Sequence, residues 1–188
     1  ANDEAPELHS DMPMSMNMLT ETDEPINLMG DLYATIQVGG RALRVTAGSY
    51  FRPNLSQMDN LTAAVLDALA LTGHEAVLDL YAGVGIFSAF IAPQARLVTL
   101  VDADPYAVND AELNLPEEHV EIIEGLVEEV LPELEDRYDA AVVDPGDSGL
   151  AAAASDALIA RKVPRIVYVS SNPSTLARDG KRLAAHGY

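Results

Sequence analysis

From Ala76 onward, short unbroken apolar runs alternate with longer amphipathic stretches. The runs predict strands at 76–80, 97–102, 120–123, 139–144 and 165–170, and the stretches predict helices at 85–92, 105–114, 127–135, 150–161 and 174–185. The strands lack a polar face, as strands covered on both sides do. Regular alternation of strand and helix implies an α/β fold with a doubly wound, mostly parallel sheet. Right-handed crossovers and a reversal after the third strand give the order 3-2-1-4-5, with a ligand crevice at the carboxyl ends of strands one and four. A fifth strand as apolar as Ile166-Val167-Tyr168-Val169 makes a poor open edge, because its unpaired backbone groups would recruit another strand. The N-terminal hairpin, a second copy of the chain in a homodimer, or a segment outside this sequence is expected to cover it.

Upstream, Ser56 to Leu71 reads as a helix with Ser56 as N-cap, a core stripe through Leu61, Val65, Leu66 and Leu69, and Gly73 past its end. Tyr33 to Val38 and Ala42 to Thr46 alternate around Gly39-Gly40, a two-residue hairpin signal. Residues 1 to 30 carry acids, Pro and five methionines (Met12, Met14, Met16, Met18, Met29) without period, and read as a tail or extended arm. The chain therefore divides into an acidic Met-rich arm (1–30), a hairpin with a connecting segment (31–55) and a cofactor-binding domain (56–188).

The candidate chemistry sits where the first of these strands meets its helix. In Asp79-Leu80-Tyr81-Ala82-Gly83-Val84-Gly85 small residues let the backbone approach a ligand, and the following helix presents its N-terminus. Asp102 ends the next strand 17 residues after Gly85, where an open α/β sheet places a carboxylate for ribose hydroxyls. A dinucleotide fingerprint wants Gly or Ala three residues after Gly85, and Ser88 stands there. Asp79 precedes the glycines instead; a carboxylate there repels pyrophosphate but suits an ammonium. S-adenosylmethionine, with an ammonium, a ribose and no phosphate, fits these residues. The plainer alternative is a tight turn in which Asp79 caps the helix.

Composition narrows the field. The 188 residues are 48% apolar, enough for one packed domain plus an appendage. No run of 18 apolar residues occurs and no signal segment opens the chain, so a cytoplasmic protein without membrane attachment is expected. With no cysteine, disulfides, zinc-thiolate sites and thiol mechanisms are excluded; no metal site is expected. A net charge of -19 opposes general attraction to nucleic acid. Nine acids and no Lys or Arg lie between Glu117 and Asp136, whereas Arg161, Lys162, Arg165, Arg178, Lys181 and Arg182 fall near the C-terminus: either a solvated acidic helix face and scattered basic surface, the plainer reading, or a locally basic end to which RNA would bind.

From Gly48 to Tyr188 the sequence resembles the RNA 5-methyluridine methyltransferases, which methylate uracil C5 in tRNA or ribosomal RNA. Ser49-Tyr50-Phe51-Arg52-Pro53-Asn54 is similar to their Ser-Phe-Phe-Gln-x-Asn motif, and Asp79 to Ser88 to their Asp-Leu-Tyr-Cys-Gly-Val-Gly-Thr-Phe-Ser loop. Asp102, Ala107, Ala111 and Asn114 fall at the family's Glu, Ala, Ala and Asn, and Ile166 to Asp179 resembles its catalytic segment. The resemblance implies a Rossmann-like class I methyltransferase using S-adenosylmethionine, held by Asp79, Tyr81, Gly83, Gly85, Asp102 and Leu126. Asp144 would face the target, with Arg52, Asn172 and Arg178 toward the substrate. It also implies C-terminal strands that this sequence lacks, and with Ala1 in place of Met it points to a longer parent protein.

The departures fall at the chemistry. The family adds a cysteine thiolate to uracil C6 to activate C5, and Ser171 stands at that position. A serine needs an adjacent base, and neither His74, His119 nor His186 has a motif context that supplies one. Asp144-Pro145-Gly146-Asp147 replaces Asp-Pro-Pro-Arg, and the general-base Glu would fall beyond Tyr188. Gly125-Leu126 replaces the acid that many such enzymes offer to the adenine amino group, leaving Leu126 to pack on the ring. Three readings result: an S-adenosylmethionine-dependent RNA methyltransferase with uracil-C5 chemistry impaired at Ser171; a non-catalytic cofactor-binding or RNA-associated relative; and, disfavoured by Ser88 and Asp79, an NAD-dependent oxidoreductase.

Overall fold

A computed structural model describes residues 14–20 and 25–188; Met12 and the rest of residues 1–13 lie outside them. Two antiparallel ribbons come first. β1 (Met16–Leu19) pairs with β2 (Pro25–Met29), and β3 (Tyr33–Val38) pairs with β4 (Arg41–Thr46). In the second ribbon Gly39 and Gly40 stand at φ 52° and 79°, the two left-handed residues that a tight hairpin turn requires. The first ribbon corrects the reading of residues 1 to 30 as lacking strand structure. Met16, Met18, Leu19, Ile26 and Leu28 are all exposed, so no buried face imposes the alternation by which a strand is recognised.

A single helical turn (Leu55–Gln57) leads into α1 (Met58–Leu69). Ser56 lies inside that turn, donating to Asn54 Oδ1 at 2.8 Å, and does not cap the helix. The helix ends on Ala70 in the left-handed conformation, three residues before Gly73. Its fully buried side chains are Met58, Thr62, Val65 and Leu69, while Leu61 and Leu66 are half-buried. Thr62 enters the core because its hydroxyl bonds back to the Met58 carbonyl at 2.9 Å, satisfying itself within the helix.

The remaining chain runs β5 (Ala76–Leu80), α2 (Ile86–Ile91), β6 (Leu97–Asp102), α3 (Pro105–Asn114), β7 (Val120–Glu124), α4 (Val127–Glu133), β8 (Ala140–Val143), α5 (Ala152–Arg161), β9 (Ile166–Tyr168) and α6 (Pro173–Ala184). The five strands form one parallel sheet in the order β7-β6-β5-β8-β9, the 3-2-1-4-5 order expected. Leu78, Leu80, Ala141 and Val143 pack against Leu131, Leu150 and Leu158 on one face. Val77, Val98 and Val142 pack against Val65, Leu69 and Ile91 on the other. Burying each large aliphatic side chain contributes about 1.5–3 kcal/mol, which is why these strands need no polar face.

The β3–β4 hairpin does not cover β9. Val38, Leu43 and Val45 pack against Ala107, Ala111 and Leu115, near the opposite edge of the sheet. Among the described residues the outer edge of β9 carries no strand.

Candidate functional site

At the end of β5 the backbone reverses. Tyr81, Gly83 and Gly85 adopt φ 59°, 55° and 82°, and the amides of Tyr81 and Ala82 both reach the Val101 carbonyl, at 3.0 and 3.3 Å. The two glycines serve different needs. A Cβ on Gly85 would lie 2.7 Å from Leu115 Cδ1 and force that side chain to shift, on a backbone whose positive φ already favours glycine. A Cβ on Gly83 would meet only the Tyr50 carbonyl at 3.9 Å, so this glycine opens space above the loop.

Asp79 is fully buried and does not line that space. Its Oδ2 accepts from the Ser88 amide at 2.9 Å and from Ser88 Oγ at 2.7 Å, which ties the first turn of α2 to β5. Oδ1 has no partner. Burial pushes the carboxyl up to about 7, against the Ser88 hydroxyl bond and with help from the negative field of Asp144 and Asp102. The cap is therefore realised, and a direct contact between Asp79 and a ligand is not among the geometries present.

A pH effect follows. Unfolded, Asp79 loses its proton near 3.8, whereas folded it keeps it to about 7, so between those values the native state binds more protons. Its contribution to stability is fully present below pH 4 and is lost as pH rises toward 7, at up to about 1.4 kcal/mol per pH unit. We expect Asp79→Asn to flatten this window: the difference in unfolding free energy between wild type and variant, from urea titrations at pH 5 and 8, should move in the variant's favour at pH 8. A constant difference would show that Asp79 is ionised in the folded protein at both values.

The space itself is a cavity of about 420 Å3 between the carboxyl ends of β5, β6 and β8. Tyr81, Ala82, Val84, Ile86 and Ala107 supply its apolar wall, and Asp102 its polar floor. Asp102 Oδ2 accepts from the Gly83 amide at 2.7 Å and Oδ1 from the Asp104 amide at 2.9 Å. Each oxygen keeps a further lone pair for a ligand. At the mouth Arg52 forms an ion pair with Asp144. Burial raises the Asp144 carboxyl and the Arg52 charge opposes that rise, so the guanidinium is what offsets the cost of burying the acid here. An added Cβ on Gly146, beside Asp144, would meet nothing within 4 Å.

Other expected residues fall elsewhere. Ser171 does line the cavity, exposed at its rim, with its hydroxyl donating to Asp147 Oδ1 at 2.7 Å. Asn172 caps α6, accepting from the Ser174 amide at 3.0 Å. Arg178 is spent on Asp179 at 2.7 Å and on the carbonyls of Ser148 and Leu150, at 2.9 and 3.2 Å. Both hold the loop after β8 against α6. Leu126 stands just before α4, is exposed and does not line the cavity. His119 bonds the Ala92 carbonyl and His186 the Arg182 carbonyl, at 2.8 and 2.9 Å, and neither they nor His74 line the cavity. Asp147, noted in the motif only as a departure, and Tyr50, noted only as a match, both line the cavity.

Of the C-terminal basic residues, Lys162 and Lys181 are exposed, whereas the arginines are engaged in the fold. Arg161 binds the carbonyls of Leu134 and Asp136, Arg165 that of Leu69, and Arg182 pairs with Asp156 at 2.5 Å. Among the described residues no cluster could hold a metal ion, and no helix is long and apolar enough to cross a membrane.

Comparison with known proteins agrees with this arrangement. The sequence is 37% identical over 172 residues to an uncharacterized RNA methyltransferase of Enterococcus faecalis, covering 88% of this chain and 38% of that protein. It is 30% identical over 182 residues to one of Chlorobaculum tepidum, covering 92% and 37%. The chain thus spans under two fifths of the length of these curated relatives. The crystal structure of the Pyrococcus abyssi tRNA (uracil-54, C5)-methyltransferase in complex with S-adenosyl-L-homocysteine superposes with a TM-score of 0.75 at 26% identity, over 97% of this chain and 47% of that one. A precorrin-6y C5,15-methyltransferase from Geobacter metallireducens shares the fold alone, with a TM-score of 0.63 at 23% identity over 74% and 78% of the two chains. Residues 54–160, more than half of the sequence, match the methyltransferase small domain, and the chain belongs to that family.

Proposed function

We propose that this chain is the S-adenosylmethionine-binding unit of an RNA methyltransferase, and that its acceptor is not uracil C5. The observation that carries the first part is the open ground above Gly83, floored by an Asp102 whose two oxygens are already oriented by backbone amides. The cavity's dimensions and its mixed lining fit an adenosyl compound. Asp102 would take the ribose hydroxyls, the Gly83 loop would lie against the methionine portion, and the Arg52–Asp144 pair would flank the transferable methyl. Bound there, the cofactor supplies an electrophilic methyl that needs only an aligned nucleophile. The relatives' names support RNA as the substrate class, and the S-adenosylhomocysteine complex of a similar fold supports the cofactor.

The second part rests on Ser171. Addition to uracil C6 requires an anionic nucleophile, and a serine hydroxyl needs a strong base to become one. Its partner is the carboxylate of Asp147, a class of base far weaker than the alkoxide it would have to generate, and among the described residues no histidine lines the cavity.

Calorimetry with S-adenosylhomocysteine and NAD, followed by transfer of labelled methyl from S-adenosylmethionine to bulk RNA with nucleoside analysis, tests both parts. The expected result is S-adenosylhomocysteine binding with no NAD binding, and label in RNA outside 5-methyluridine. Preference for NAD would end the methyltransferase reading. Binding without transfer would leave only a cofactor-binding relative, and label in 5-methyluridine would overturn the argument from Ser171.

A further inference from the structure

The residue that stands beside Ser171 has its own consequence for the acceptor. A second hollow, of about 760 Å3, adjoins the first, and the two share Tyr50, Arg52, Asp147 and Ser171 in their walls. These four residues frame a throat between the cofactor-sized cavity and an outer hollow. Tyr50 is 68% exposed at this rim, the form of an aromatic platform for an unstacked base. Gln57, Asn60 and Leu61 continue the outer wall.

The throat's polarity is fixed by its hydrogen bonds. The Ser171 proton is committed to Asp147 Oδ1 at 2.7 Å, so Ser171 Oγ offers only lone pairs to the space between the cavities. Asp147 Oδ2 likewise offers lone pairs, and among the described residues no cation lies within ion-pair distance of Asp147. Asp144, by contrast, is neutralised by Arg52. The Asp147 backbone is held in place by Asn172 Nδ2, which donates to its carbonyl at 2.9 Å, and by the turn that closes from the Gly149 amide to the Gly146 carbonyl, also at 2.9 Å. Two acceptors on an anchored loop therefore meet whatever passes from the outer hollow toward the methyl group.

Resting on the reading of the chain as an RNA methyltransferase unit, we infer that the Asp147–Ser171 pair selects a nucleobase by an amino-bearing edge, and that the amino nitrogen is the methyl acceptor. A base presenting N–H groups satisfies both acceptors. One presenting a carbonyl there sets oxygen against an unpaired carboxylate and pays for desolvating it. In the transfer the nitrogen lone pair forms the N–CH3 bond, the CH3–S bond breaks with its electron pair going to sulfur, and the N–H proton passes to the Asp147 carboxylate and then to water.

The test compares binding of single-stranded pentanucleotides of adenosine and of inosine to this chain in the presence of S-adenosylhomocysteine. The two bases stack alike and differ on one edge, where inosine has a carbonyl in place of the two N–H bonds of the amino group and keeps a single donor at N1. The expected result is at least about tenfold tighter binding of the adenosine oligomer, and a preference reduced to within about twofold in Asp147→Asn. Ser171→Ala, which removes one acceptor without adding a donor, should give an intermediate ratio and serves if Asp147→Asn does not fold. Nucleoside analysis after transfer should find the label on an amino nitrogen. Equal binding of the two oligomers by the wild type, an unchanged preference in both variants, or label on carbon or ribose oxygen would overturn the inference. Failure of the wild type to bind S-adenosylhomocysteine would instead strike the reading on which it rests.

Discussion

Asp102→Ala is expected to weaken S-adenosylhomocysteine binding by about a hundredfold or more, the largest functional effect of any single truncation in the cavity. Its carboxylate has each of its two oxygens held by a backbone amide, at 2.7 Å from Gly83 and 2.9 Å from Asp104, so it meets a ligand already ordered. A hydrogen bond to a charged acceptor is worth about 1.5–3 kcal/mol. Losing two ribose bonds of that kind corresponds to at least about a hundredfold in Kd. The substitution also releases the Gly83 amide, so the loop that frames the cavity loosens along with the lost contact. Asp102→Asn should not rescue binding, because an amide NH2 placed at either oxygen position faces the N–H of Gly83 or Asp104, donor against donor. Calorimetry reads the Kd, and a thermal melt in the absence of ligand separates binding from folding. The two amides lie near solvent, so the melting temperature should fall by only a few degrees. A Kd within about threefold of wild type in Asp102→Ala would remove the ribose from this residue and with it the orientation of the ligand argued above.

Asp102 was legible from sequence because strand periodicity fixes where β6 ends, and a carboxylate at that point faces the crevice whatever its neighbours are. The sheet order was legible for the same reason: apolar runs bounded by turns carry their own boundaries. Asp79 stands at a strand end by the same logic, yet the next helix begins so close that the Ser88 amide claims it. Distance along the chain told nothing of that competition. Asn172 and Arg178 were matched as substrate residues from their motif, and the structure gives both a nearer employer in the loop after β8. A motif records which residues recur together, and an N-cap or a loop clamp recurs as faithfully as a catalytic contact. The ribbon of β1 and β2 was invisible because it is held by backbone pairing and by contacts such as Asn27 Nδ2 to the Gly30 carbonyl at 2.9 Å, with no buried face to pattern its residues.

Least legible of all was Asp110, one acid on an unremarkable helical stretch, and its removal is expected to cost the most stability. The residue is wholly buried in α3. Its carboxylate accepts from Arg44 Nε at 2.8 Å, from Thr46 Oγ1 at 2.9 Å and from the Thr46 amide, partners 64 to 66 positions away in β4. One turn further on, Asn114 accepts from the Arg44 amide at 2.8 Å and donates to the Arg44 carbonyl at 3.0 Å, standing in for a neighbouring strand. Asn114 Nδ2 also donates to the Val84 carbonyl at 3.0 Å, so the hairpin, α3 and the glycine loop share one network. Asp110→Ala strands the buried Thr46 amide and hydroxyl without acceptors and leaves the Arg44 charge unpaired, a loss of about 3 kcal/mol. Arg44→Ala should cost much less, about 1 kcal/mol, because the Arg44 side chain is 34% exposed and Thr46 still holds the carboxylate. Urea midpoints rank the two variants, and hydrogen exchange should show the β3–β4 amides losing protection before those of the main sheet in Asp110→Ala. Equal destabilisation by the two substitutions would mean that the ion pair, and not the satisfaction of β4's backbone edge, binds the hairpin to the domain.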